Sequence, residues 1–110
     1  MEAQDLKDRL KHGEDLILLD VREPDEIAVD PYFLSPPKYF LNIPVLPLIF
    51  SSKQELKERI FGTLGLPETT PVITLCQTGG RSQRACEELR RHGWKAENLE
   101  GGILAWDDPM

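Results

Sequence analysis

Apolar residues follow two different spacings along this chain, and each spacing predicts its own element. Leu6 and Leu10 stand four apart among charged residues, so residues 3–12 read as a short amphipathic helix that Gly13 stops. Leu16-Ile17-Leu18-Leu19 is a continuous apolar run that turns polar only at Asp20-Val21-Arg22. That is the pattern of a strand buried on both faces of a parallel sheet. Residues 24–29 allow one or two helical turns, with Pro24 tolerated at the first position. Pro31, Pro36, Pro37, Pro44 and Pro47 then exclude a regular helix between 30 and 50, leaving a short strand around Phe40–Ile43. Ser51 and Ser52 ahead of Glu55 resemble a capping box, and Leu56, Ile60 and Leu64 continue at helical spacing. Gly62 or Gly65 ends that helix, and Pro67 confirms the stop. Val72-Ile73-Thr74-Leu75 reads as a second buried strand and delivers Cys76 at its carboxyl end. A helix over 81–91 turns Ala85 and Leu89 inward and stops at Gly93; Ala96–Leu99 is a last strand, and 103–106 a last helical turn.

Strands alternating with helices predict an α/β domain with a mainly parallel sheet, and residues 1–110 have the length of one such domain. Ligands of open sheets of this kind bind beyond the carboxyl ends of the strands, where Cys76 is expected to lie.

Composition and charge narrow the functions. The net charge is −6 and the longest basic cluster is the pair Arg90-Arg91, which argues against nucleic acid. No apolar run reaches the length of about 18–20 residues that crosses a bilayer. The acidic, polar start Met-Glu-Ala-Gln-Asp is unlike a secretory signal, so a cytoplasmic location is the expectation. Cys76 and Cys86 are ten positions apart and form no Cys-x-x-Cys pair, which disfavours both a disulfide and a zinc site. His12 and His92 each precede a glycine at a predicted helix end and read as caps.

The loop Cys76-Gln77-Thr78-Gly79-Gly80-Arg81-Ser82 is the candidate site. A thiol acts as nucleophile or sulfur carrier only as thiolate, so something must lower its pKa. Gly79 and Gly80 let the backbone take positive φ and curl round the sulfur, turning N–H groups inward as an anion nest at a helix start. Arg81 adds a full charge, and Thr78 and Ser82 add hydroxyls; Ser82 is also a candidate helix cap. The plainer alternative is a strand-to-helix turn with Cys76 as a small buried apolar residue.

In this order of pieces the chain resembles the rhodanese-like domains. The resemblance runs through Leu18-Leu19-Asp20-Val21-Arg22-Glu23, Asn42-Ile43-Pro44, the Cys76–Ser82 loop, Ala85, Leu89, Gly93, Asn98-Leu99-Glu100-Gly101-Gly102 and Ala105-Trp106. It implies a three-layer α/β domain whose mainly parallel central sheet has four to five short strands flanked by helices. It also implies a sulfurtransferase that takes a sulfane sulfur from thiosulfate or another persulfide donor and passes it to cyanide, a thiol or a protein. Cys76 would be the nucleophile, Arg81 the anion binder, and Gln77, Thr78, Gly79, Gly80 and Ser82 the substrate cradle. Asp20 and Arg22 would be supporting residues, with Arg22 paired to Glu23 or Glu26. No metal or organic cofactor is implied. Related phosphatases and arsenate reductases carry Arg six positions after Cys; here the sixth is Ser82, a shorter loop suited to sulfur. A sulfur-relay carrier and a non-catalytic interaction module are the alternatives.

The chain departs from that pattern twice. Residues 30–41 are longer than usual, aromatic and lack the usual His; they are expected either to form a lip beside the cysteine that shapes acceptor choice or docks a protein, or to pack as an insertion on their own side of the core. The strand that normally precedes the first helix is absent or very short, leaving a sheet edge open to self-association. Trp106 is expected to pack at the core edge, and Cys86 to be a buried, inert thiol rather than a resolving cysteine.

Overall fold

The computed structural model describes residues 1–29 and 37–105. The predicted aromatic lip at 30–36, with Tyr32 and Phe33, and the packing of Trp106 lie outside the described residues. Four strands form one parallel sheet: β1 (Ile17–Asp20), β2 (Phe40–Asn42), β3 (Val72–Leu75) and β4 (Ala96–Asn98), in the order β2-β1-β3-β4. Because β2 lies on one side of β1 and β3 on the other, the strand order reverses between β1 and β3. The crevice beyond their carboxyl ends is the expected ligand position.

Alternation along β1 divides the core into two layers. Ile17, Leu19 and Val21 face one cluster with Leu48, Leu56, Ile60, Phe61, Ala85, Cys86 and Leu89. Leu16 and Leu18 face the other with Leu6, Ile73, Leu75, Leu99 and Ile103. The first cluster is covered by α3 (Val45–Phe50), α4 (Lys53–Lys57) with its continuation, and α5 (Gly80–Arg91); the second by α1 (Ala3–Lys11) and a 3-10 turn over Gly102–Ala105. The expected three-layer α/β architecture is therefore present. β1 and β3 are buried at every position, which explains their continuous apolar runs.

Three local expectations are refined. A helix does form at Val45–Phe50 despite its prolines. Pro44 precedes it, and Pro47 falls in the first turn, where backbone N–H groups have no intrahelical acceptor to lose. The Ser52–Glu55 capping box is present in both directions, at 3.1 and 2.9 Å. The helix it starts passes through a π-turn over Glu58–Gly62 and ends at Gly65 (φ +66°) rather than Gly62. The π-turn brings Phe61 into the core beside Ile60.

No strand precedes α1 among the described residues, but the edge of β4 is not bare. The Met1 ammonium donates to the Asn98 carbonyl at 2.7 Å, and the Met1 carbonyl accepts from Glu100 N–H at 2.8 Å. These two bonds engage the chain at Asn98 and Glu100, along and just past β4. Tyr39 and Phe40, the described aromatics of the 30–41 segment, sit at the amino end of β2, whereas Cys76 follows the carboxyl end of β3. His12 and His92 are the C-caps of α1 and α5, each followed by a positive-φ glycine, as expected.

Candidate functional site

Cys76 follows β3 directly and is about 1% exposed. Its Sγ accepts three hydrogen bonds: from Gly79 N–H at 3.1 Å, Ser82 N–H at 3.5 Å and the Ser82 hydroxyl at 3.3 Å. Burial pushes the thiol pKa up, but the Ser82 hydroxyl and the N–H groups of Ser82, Gly79 and Thr78 outweigh it and bring the net value below the ordinary 9.0. The plainer reading of Cys76, as an apolar filler, does not account for this ring of donors.

Gly79 makes the ring possible. At φ +101° it turns the chain back and becomes the N-cap of α5. Its carbonyl accepts from Gln83 N–H at 3.0 Å, from Asn98 Nδ2 at 3.1 Å and from Ser82 Oγ at 3.2 Å. The expectation for Gly80 is corrected: it is already helical, and a Cβ there would meet nothing within 4 Å. Ser82 is likewise not the cap but the third helical residue, one turn in, with its hydroxyl turned to the sulfur and the Gly79 carbonyl. Gln77 and Thr78 expose their side chains, so their part in the ring is played by main chain.

Arg81 is where the structure departs most from the sequence expectation. Its two terminal nitrogens form a bidentate pair with Glu26 of α2 (Pro24–Val29), at 2.5 and 2.8 Å. Glu26 is fixed from its own side too, since its Oε1 accepts from Glu23 N–H at 3.0 Å. The Arg81 bond, followed by the Glu23 N–H, pulls the Glu26 carboxyl down to about 2. The thiolate is therefore stabilised by the hydroxyl and amides, while Arg81 spends its charge largely on Glu26.

The expected pairing of Arg22 with Glu23 or Glu26 is replaced by one with Asp20. Both are buried, Arg22 at 2% and Asp20 at 0% exposure, and Arg22 Nε and a terminal nitrogen reach the carboxylate at 3.1 and 2.9 Å. Asp20 also accepts from Arg22 N–H at 3.0 Å, which fixes the turn leaving β1. Asn42 holds that turn against β2 by donating to the carbonyls of Asp20 and Arg22 at 2.8 and 2.9 Å. Asp20 and Arg22 thus brace the floor beside the loop without bonding the sulfur.

Two further groups were not singled out from the sequence. Asn98 ties β4 to the loop, donating to Gly79 and accepting from the Thr74 hydroxyl at 3.2 Å. Gly102 (φ +62°) lets the last turn lie on the loop, so that Ile103 and Leu104 N–H groups reach the carbonyls of Cys76 and Gln77 at 2.9 and 3.1 Å. A Cβ on Gly102 would stand 2.5 Å from both of those oxygens. The available signal was a polar residue in a three-residue strand, followed by paired glycines.

Cys86 is wholly buried in the core face of α5, and burial pushes its thiol up, so it is poorly placed to resolve an intermediate. A cavity of about 530 Å³ between α1 and Tyr39 lies at the amino end of the sheet, away from Cys76. Among the described residues, no group of three or more His, Cys, Asp or Glu side chains could hold a metal ion, and no helix is long and apolar enough to cross a membrane.

Known proteins resemble this chain in sequence and in fold. A sulfurtransferase of Allochromatium vinosum is 31% identical over 107 residues, covering 96% of this chain and 85% of its own length. The crystal structure of a rhodanese-like domain protein from Staphylococcus aureus superposes with a TM-score of 0.73 at 25% identity, over 98% of this chain and 90% of that one. A human single-domain sulfurtransferase shares the fold, with a TM-score of 0.73 at 24% identity over 96% and 92% of the two chains. The rhodanese-like domain family matches residues 2–109, and the chain belongs to that family of sulfurtransferases.

Proposed function

We propose that this chain transfers a sulfane sulfur through a persulfide on Cys76. The observation that supports it best is the buried Cys76 Sγ held by Gly79 N–H, Ser82 N–H and the Ser82 hydroxyl, a setting that stabilises an anionic sulfur. In the first step the Cys76 thiolate attacks the sulfane sulfur of thiosulfate or of a persulfide. The donor S–S bond breaks, and sulfite or a thiolate leaves with the electron pair. In the second step cyanide, a small thiol or a protein thiol attacks the outer sulfur, and Cys76 leaves as thiolate. This is a two-step, ping-pong cycle that needs no metal or organic cofactor.

The ring suits both ends of the cycle, because the resting thiolate and the persulfide anion are alike acceptors of N–H and O–H donors. Gln77 through Ser82 form the cradle, Arg81 is carried on it in an ion pair with Glu26, and Asp20 with Arg22 keeps the floor rigid. The reading takes the chain as one cytoplasmic domain, where a reduced thiol is maintained. A relay between proteins is the second reading. It is favoured by Leu104, 66% exposed while its N–H is bonded to the Gln77 carbonyl beside the cysteine.

The test is intact mass after incubation with thiosulfate and removal of the excess, with and without cyanide. The expected result is gain of one sulfur atom that cyanide removes, absent in Cys76→Ser and retained in Cys86→Ala. No adduct at any pH near neutrality, with thiosulfate or with a small organic persulfide as donor, would overturn the proposal, and an adduct confined to Cys86 would reverse the two cysteine assignments.

A further inference from the structure

We infer that Glu26 is a specificity-determining residue: by neutralising Arg81 it steers the site away from dianionic donors such as thiosulfate and toward singly charged organic persulfides. The inference rests on the Cys76 sulfur-transfer reading and deepens it.

Three observations carry it. The pair is bidentate, so one N–H on each terminal nitrogen of Arg81 and the face they form are committed to Glu26 rather than to an incoming anion. The carboxylate is locked from behind by Glu23 N–H at the start of α2, so it does not swing aside without losing that bond. Finally, Arg81 lies in the first turn of α5, five positions after the buried Cys76, and the Arg81 and Glu26 side chains are 39% and 31% exposed, so an incoming donor can reach the pair.

The charges then decide. With Cys76 as thiolate, Arg81 and Glu26 cancel and leave the approach path with a net charge of about −1. A donor of charge −2 is repelled twice as strongly, in free energy, as one of charge −1. Replacing Glu26 by a neutral residue brings the sum to about zero and frees Arg81 for the donor. Glu26 stays ionised down to about pH 2, so the bias operates at every pH where the thiolate exists.

The reaction is otherwise unchanged. An organic persulfide R–S–S⁻ gives its outer sulfur to Cys76, and R–S⁻ leaves with the electron pair, where thiosulfate would release sulfite.

Steady-state kinetics of Glu26→Gln with thiosulfate and with the persulfide of mercaptoethanol test the inference. The expected result is a rise of about tenfold in kcat/KM for thiosulfate and about threefold for the persulfide, the square-root relation that the two charges demand. The change should sit in KM, with kcat held within about twofold, and should shrink as salt is added. Glu26→Asp keeps the charge and should keep the wild-type preference between donors. Glu26→Ala gives the same reading as Gln if the Gln variant folds poorly. An unchanged or raised KM for thiosulfate in the neutral variants would overturn the inference, as would an Asp variant that behaves like Gln. Failure of wild-type protein to take sulfur from either donor would instead count against the Cys76 reading itself.

Discussion

Ser82 offers the sharpest test of how the cradle works. Its hydroxyl stands 3.3 Å from Cys76 Sγ and shares its single proton with the Gly79 carbonyl at 3.2 Å. Ser82→Ala removes that donor alone, because the backbone N–H groups of Gly79 and Ser82 stay in place. Hydrogen bonds to charged groups contribute about 1.5–3 kcal/mol, and a shared bond at this distance belongs at the low end. About 1.5 kcal/mol corresponds to a rise of about one pKa unit in Cys76. The assay is the rate of alkylation by iodoacetamide against pH, in a Cys86→Ala background so that one thiol reports. Ser82→Thr, which keeps a hydroxyl, should stay nearer the wild type. Stability provides a second readout. The folded Cys76 pKa lies below its unfolded value, so ionisation stabilises the fold; the contribution is complete above pH 9.0 and is lost as pH falls through the lowered value. Wild type minus Cys76→Ser should therefore gain stability as pH rises toward 9.0, and Ser82→Ala should narrow that window. An alkylation midpoint that does not move in Ser82→Ala would refute the role given to the hydroxyl.

Other predictions concern the scaffold. Gly102→Ala places a Cβ 2.5 Å from two carbonyl oxygens at positive φ. A left-handed penalty of about 1–2 kcal/mol and two disturbed hydrogen bonds should together cost about 3 kcal/mol in urea unfolding, with loss of sulfur uptake. Gly80→Ala, pointing into open space at the start of α5, should instead raise stability by about 0.4–1 kcal/mol and leave uptake intact. Asp20→Ala removes the carboxylate from the buried pair with Arg22 and should cost about 2–3 kcal/mol in the same assay, whereas Asp20→Asn should be milder.

The sheet was legible because its two central strands are buried at every residue and therefore announce themselves as unbroken apolar runs, as in Leu16–Leu19 and Val72–Leu75. The cysteine loop was legible from spacing, since Gly79 must supply a positive φ between a strand and a helix. What stayed hidden were contacts between segments far apart in sequence. Glu26 and Arg81 are 55 residues apart, so local spacing placed each with the wrong neighbour: Glu26 with Arg22, and Arg81 with the ligand alone. Helix α3 was missed for a local reason, because Pro47 looks like a breaker until its place in the first turn is known. Asn98 and Gly102 act on chain that arrives from the loop, so the polar residue and paired glycines in the sequence mark the place without naming the partner.

That the sulfur is held by main chain and one serine has a consequence for how such a protein can change. Gln77 and Thr78 turn their side chains outward, and a Cβ on Gly80 would enter open space. Those three positions can therefore be exchanged without removing a donor from the sulfur. Within these seven residues the surroundings of the sulfur are set by backbone conformation and one hydroxyl, while the outward side chains are left free to differ. A lineage can change the loop's outer surface, residue by residue, while the sulfur keeps the same surroundings.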